Sequence, residues 1–283
     1  MKKGLILEGG AMRGLFSAGI TDVLQEEGIE FDGAIGVSAG AAFGCNFKSK
    51  QAGRVIRYNK RFAQNWRYAS WRSFFLTGNY FGGTFAYHTL PTKLDPFDFQ
   101  TFQENPMEFW IVCTDVRTGK PLYRTLHTCD YTEREYIRAS ASMPLVSKVV
   151  KVGNDEMLDG GISDSIPLRF FQERGYDRNL VVLTQPENYQ KETNKLIPLI
   201  KLQLRSYPNF IKALKERHIM YNAQTAYVRE EERKGNVFVL CPEEKLEIGH
   251  ISHDSTQMEK TYEIGRATAQ KNIAAIKKYF SLE

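Results

Sequence analysis

Apolar residues fall along this chain in two rhythms. Gly4 to Glu8 is a short apolar run that ends at the glycine pair Gly9-Gly10, and it predicts a buried strand. Phe16, Ile20, Val23 and Leu24 then recur at helical spacing until Gly28 stops the pattern. Ile29 to Val37 reads as a second strand, and the small residues of Ala39 to Phe47 suit a helix pressed close to a sheet. Strand, helix, strand, helix is the opening of a parallel α/β sheet. Glu108 to Asp115 and Pro121 to Leu126 read as strands around the turn Arg117 to Lys120. Tyr131 to Ser140 reads as a helix ended before Pro144, and Val149 to Leu158 as a hairpin about Gly153-Asn154-Asp155. Phe170 to Arg174 ends a helix and Asn179 to Thr184 is a strand. After Pro186 the pattern is helical, except for the core strand Val237 to Leu240. That late strand implies that the C-terminal part completes the same sheet, within one domain over residues 1–283.

Length and composition narrow the class. The chain has 283 residues, 42% of them hydrophobic, enough for a sizeable core. Two lysines precede the first apolar run, but Glu8 ends it too early for a signal peptide, and no later run approaches a membrane span. The expectation is a cytoplasmic protein. Cys45, Cys113, Cys129 and Cys241 have neither zinc nor redox spacing and read as reduced, mostly buried thiols. A net charge of +5 is compatible with anionic surfaces and gives no reason to expect nucleic acid as a partner.

Three motifs carry chemistry. Gly36-Val37-Ser38-Ala39-Gly40 is a G-x-S-x-G standing between a strand and a helix. Such a turn tolerates only small neighbours, exposes the Ser38 hydroxyl and aims helical N–H groups, including that of Ala39, at developing negative charge. The loop Glu8-Gly9-Gly10-Ala11-Met12-Arg13-Gly14 also joins a strand to a helix. Its consecutive glycines can turn N–H groups toward an anion and Arg13 adds positive charge, which would make an oxyanion hole. The competing reading is a degraded dinucleotide fingerprint with Asp32 as its acid, but Ala11 stands where the second glycine must admit a pyrophosphate. Asp159-Gly160-Gly161 ends an apparent strand; alone it reads more simply as a plain turn.

In this order and spacing the three motifs resemble the patatin-like phospholipase family. Ala139-Ser140-Ala141-Ser142-Met143-Pro144 is similar to the family's A-S-x-A-x-P block, and Thr114-Asp115 with Thr118-Gly119 to its T-D…G segment. The resemblance covers residues 4–185. Residues 186–283 are then a mostly helical elaboration that contributes one further strand. Ala11 departs from the pattern, since many members have a third glycine there. The resemblance implies a three-layer α/β fold, with a mostly parallel central sheet flanked by helices. It implies a lipid acyl hydrolase in which Ser38 is the nucleophile and Asp159 the general base. Gly9, Gly10, Ala11, Arg13, Gly14 and Ala39 would form the oxyanion hole, and Gly36 and Gly40 the elbow. No metal or cofactor is implied. A free aspartate is a poor base, and burial would have to raise its pKa. The alternatives are an acyltransferase or general esterase on the same dyad, or an inactive lipid-binding or regulatory descendant.

The remaining candidates have plainer readings. His88, His127, His218, His250 and His253 lack the context of a catalytic base, and His250-Ile251-Ser252-His253 reads as a loop rather than a metal site. Asp95-Pro96-Phe97-Asp98-Phe99 reads as a turn with anchoring aromatics. Lys48 to Arg72 holds eight basic residues and no acidic one, interleaved with aromatics. It reads either as peripheral contact with an anionic membrane or as a solvated basic face with inward-packed rings, and the second is the simpler. The lipid class and the oligomeric state are not written in these patterns.

Overall fold

Strand alternation decides the layering. In β1 (Lys2–Leu7), Leu5 and Leu7 point into one core and Ile6 into another. All three are at most 1% exposed, and burying side chains of that size contributes about 1.5–3 kcal/mol apiece. The computed structural model describes residues 1–281. Helices α1 (Gly14–Glu26) and α2 (Ala39–Lys48) cover the Leu5 face, joined by the C-terminal α10 (Ser255–Phe280). On the Ile6 face lie α7 (Leu168–Glu173) and the long α9 (Pro208–Arg233), through Phe171, Tyr221 and Val228. Helix α8 (Ile197–Gln203) adds a smaller cluster with the start of α9. Between α2 and the next strand the chain runs through α3 (Arg54–Phe62), α4 (Trp71–Thr77), a wide turn of helix at Phe85–Leu94 and α5 (Phe99–Glu104).

The sheet has eight strands. Five run parallel in the order β3 (Glu108–Asp115), β2 (Gly33–Val37), β1, β7 (Tyr176–Val182), β8 (Val237–Leu240). Three more are antiparallel: β4 (Pro121–Leu126) and β6 (Asp155–Asp159) on β3, and β5 (Val150–Val152) on β6. Helix α6 (Tyr131–Ser140) packs beside them, capped by the Asp130 carboxylate on the Glu133 N–H. The chain therefore has an α/β fold with a mostly parallel sheet flanked by helices.

Several boundaries differ from the sequence pattern, among them the starts of β1 at Lys2 and of β7 at Tyr176, and two have a visible reason. Strand β2 starts at Gly33, because the Ile29 N–H is spent on Leu24 O to close α1. Strand β7 ends at Val182, because Thr184 turns away to donate its N–H to Glu8.

Candidate active site

Strand β3 acts as a ruler. Its residues 108–112 pair with β2, and its residues 113–115 pair with β6. Strand β4 occupies the other edge over 109–114, so β2 and β6 meet end to end on the same edge. Val37 lies opposite Val112 and Asp159 opposite Cys113, one residue further on. Two strands from distant parts of the chain thereby deliver Ser38 and Asp159 to a single point. The Ser38 hydroxyl donates to Asp159 Oδ2 at 2.7 Å.

The elbow explains its own glycines. Ser38 sits at φ 55°, ψ −119°, a conformation costing a non-glycine residue about 1–3 kcal/mol. The turn brings α2 back against its strand so closely that a Cβ on Gly36 would stand 2.3 Å from Gly40 O. One on Gly40 would stand 2.2 Å from Leu7 O. The Ser38 N–H is held at 2.9 Å by Ser140 Oγ, which in turn donates to Val112 O at 2.6 Å. Ser142 O accepts from the Asp159 N–H at 2.9 Å. The segment 139–142 thus braces the backbone of both Ser38 and Asp159.

Asp159 is 3% exposed. Burial pushes its carboxyl above the ordinary carboxylate range, against the opposing pull of Arg217, the Ser38 hydroxyl and the Gly161 N–H. That N–H holds Oδ1 at 2.8 Å and leaves Oδ2 for Ser38. Thr114 Oγ1 donates to Asp159 O at 2.8 Å, which accounts for the Thr114-Asp115 element of the sequence.

The glycine loop lies on the other side of Ser38. Ala11 adopts φ 49°, so the position where a third glycine is common is indeed left-handed. The N–H of Met12 is taken by His250 O, that of Arg13 by Gly10 O, and that of Gly14 by Ala11 O and Met12 O. Among the described residues, no acceptor is paired with the N–H groups of Gly9, Gly10, Ala11 or Ala39. Gly14 lines neither cavity described below. It packs into the α1–α2 joint, where a Cβ would stand 2.8 Å from Ala39 Cβ. Glu8 is buried beneath the loop, with Oε1 accepting from Tyr221 OH at 2.7 Å and Oε2 from the Thr184 N–H at 2.5 Å.

Two cavities share Ser38, Ala11 and Met143. The larger, about 920 Å³ with its mouth, is walled chiefly by apolar and aromatic side chains such as Phe43, Tyr68, Phe81, Tyr87 and Leu90. The smaller, about 510 Å³, holds Asp159, Glu8, Arg13, Lys191, Arg217 and His250. The last three lie in the segment read from sequence as a helical elaboration. No local motif marks them, because Arg217 reaches Gly161 O across 56 positions.

Among the described residues no histidine is hydrogen-bonded to Ser38, although His250 lines the smaller cavity with it. His250 Nε2 meets Arg13 Nη1 at 2.8 Å, and desolvation with the Arg13, Lys191 and Arg217 charges pushes its pKa down to about 4. His253 bonds Tyr80 OH and Ala63 O, His88 pairs with Glu135, and His218 contacts Lys215 O.

Most basic residues of 48–72 have local partners. Lys48 is buried on the carbonyls of Asn105 and Met107, Arg54 and Arg57 clasp Asp95, and Lys60 pairs with Glu259. Asp95 is thereby an internal counter-ion. Open to solvent are Trp66, Trp71, Phe75 and Leu76, while Tyr68 and Ala69 between them are buried; Arg72 lies over the Trp66 ring and Phe75 is 81% exposed. Among the described residues, no helix is long and apolar enough to cross a membrane.

A family model described as patatin-like phospholipase matches residues 5–171, and one described as a domain of unknown function, DUF6363, matches residues 207–281. Lysophospholipase NTE1 of Kluyveromyces lactis is 30% identical over 181 residues, covering 61% of this chain and 12% of that protein. Lysophospholipase NTE1 of Phaeosphaeria nodorum is 29% identical over 182 residues, covering 62% of this chain and 11% of that protein. The chain thus spans about a tenth of the length of these curated relatives. The crystal structure of VipD from Legionella pneumophila is similar at a TM-score of 0.49 and 13% identity, covering 97% of this chain and 67% of that one.

Proposed function

The chain belongs to the patatin-like phospholipase family, and from that premise we propose that it is a lipid acyl hydrolase working through a Ser38–Asp159 dyad. The observation that carries the reading is the 2.7 Å contact between the Ser38 hydroxyl and a buried carboxylate. Asp159 takes the Ser38 proton as Oγ attacks the ester carbonyl. The raised pKa of Asp159 makes it a better base than a solvated aspartate. The tetrahedral oxygen is met by the unclaimed N–H groups of Gly9, Gly10, Ala11 and Ala39, with Arg13 adding charge. Asp159 returns the proton to the departing alcohol, leaving an ester on Ser38. Water, deprotonated by Asp159, then releases the fatty acid and regenerates Ser38. The apolar cavity suits the acyl chain.

Steady-state release of fatty acid from a monoacyl ester tests this. Wild type should turn over, Asp159→Asn should not, and single replacement of each histidine should leave substantial activity. A folded histidine variant as inert as Asp159→Asn would replace the dyad with a triad.

A further inference from the structure

The smaller chamber beside Ser38 carries more positive charge than its neighbours neutralise. Arg13, Lys191 and Arg217 line it. Among the described residues none of the three forms an ion pair, whereas Arg54, Arg57 and Arg266 elsewhere are each matched to a carboxylate. Arg13 Nε is buried without a hydrogen-bond partner, and its Nη1 meets an imidazole held neutral. Arg217 spends Nε on Gly161 O at 2.6 Å and has further N–H groups to give. The Lys191 ammonium stands 4.4 Å from the centroid of the Tyr221 ring, and desolvation with the Arg217 charge pushes its pKa down to about 8. The two acids on the wall relieve this only in part: Glu8 and Asp159 pull the Lys191 pKa back up, but among the described residues neither forms an ion pair with the three cations. Both Glu8 oxygens are taken by Tyr221 and Thr184, and Asp159 is committed to Ser38. Gathering unpaired cations in a half-enclosed space is unfavourable unless an anion enters it.

We propose that this chamber binds a phosphate carried on the alcohol side of the acyl ester, with Lys191 and Arg217 as specificity-determining contacts. The preferred substrate is then an acylated alcohol phosphate: its chain in the apolar cavity, its carbonyl at Ser38, its phosphate among the cations. Phosphate fits because its several oxygens accept from donors converging from different sides. Lys191 and Arg217 both lie beyond residues 5–171, so the C-terminal part supplies two of the chamber's three cations. The inference rests on the reading of Ser38 as the acyl-transfer nucleophile.

The test compares two esters of one acyl chain, monoacylglycerol 3-phosphate and monoacylglycerol, on wild type, Lys191→Gln and Lys191→Arg. Wild type should favour the phosphorylated ester in kcat/KM. Lys191→Gln should cut that preference roughly 10-fold or more, chiefly through KM, and Lys191→Arg should restore most of it. Calorimetric titration with glycerol 3-phosphate and with inorganic phosphate reads anion binding apart from the chemistry. Glycerol 3-phosphate binding that is lost in Lys191→Gln supports the subsite even if neither ester is cleaved, in which case the hydrolase reading fails alone. Equal kcat/KM for the two esters, or a preference unmoved in Lys191→Gln, overturns the subsite and leaves the hydrolase reading standing. Inorganic phosphate bound as tightly as glycerol 3-phosphate, without ester preference, assigns the cations to free phosphate and also overturns it.

Discussion

Ser140→Ala isolates the brace behind the nucleophile. Ser140 touches no cavity wall, yet its hydroxyl accepts from the Ser38 N–H at 2.9 Å and donates to Val112 O at 2.6 Å, and Ser140 is 0% exposed. Alanine leaves the Ser38 N–H without its acceptor. A stranded buried donor costs about 1–3 kcal/mol, and the lost bond to Val112 adds about 1 kcal/mol, giving roughly 2–4 kcal/mol in all. That is a large part of a typical folding free energy of about 5–15 kcal/mol. The left-handed Ser38 backbone is the local feature most exposed to such a loss, because its strain persists only while its surroundings hold it. Displacement of Oγ by a fraction of an ångström should lower kcat roughly 10- to 100-fold with little change in KM. Denaturant melts and steady-state kinetics on one ester read both effects. A variant within about 0.5 kcal/mol of wild type and equally active would refute the brace.

Four further predictions concern the loop, the base and the exposed helix. Gly10→Val should crowd Thr184, whose Oγ1 would stand 2.6 Å from the new Cβ, and cut kcat by at least ~100-fold; a change confined to KM would make the loop a binding element only. Because burial raises Asp159, the acid limb of kcat/KM should lie above the ordinary carboxylate pKa of 3.8, as activity needs the ionised form. The same elevation favours the protonated carboxyl in the fold, so Asp159 contributes most to stability at low pH and that contribution is lost as pH rises through its folded pKa. Melts of Asp159→Asn should therefore exceed wild type near pH 7, by about 1.4 kcal/mol for each pH unit of elevation, and converge with it below 3.8. A variant less stable than wild type at every pH would contradict that sign. Phe75→Ser with Leu76→Ser, both side chains being largely exposed, should weaken cosedimentation with anionic vesicles while hydrolysis of a short soluble ester persists; unchanged binding would remove this helix as a lipid contact.

Much of the frame was readable because it depends on short-range pattern. The runs Glu108–Asp115, Tyr131–Ser140 and Val237–Leu240 carry their periodicity and stop signals within themselves, and the elements form over those residues. Gly36 and Gly40 were readable for the same reason, since the turn that excludes their side chains is local. Contacts that depend on sheet register were not. That Ser38 and Asp159 meet was implied only by the family resemblance; physically it follows from β2 and β6 sharing one edge of β3, which neither motif encodes by itself. Glu8 gave a faint signal, an acid at the end of an apolar strand, and its partners Thr184 and Tyr221 lie 176 and 213 positions away. The basic stretch 48–72 misleads when read alone, because the carboxylates of Asp95 and Glu259 come from elsewhere in the chain.

The measurement that bears most directly on the dyad is covalent capture of the nucleophile. Wild type incubated with a fluorophosphonate and analysed by intact mass and peptide mapping should gain one adduct, on Ser38. Ser38→Ala should gain none while its melting midpoint stays close to wild type. Asp159→Asn should label far more slowly, because the hydroxyl has lost the acceptor 2.7 Å away. Labelling at another residue, or a Ser38→Ala protein that is folded and still hydrolyses esters at the wild-type rate, would contradict the account.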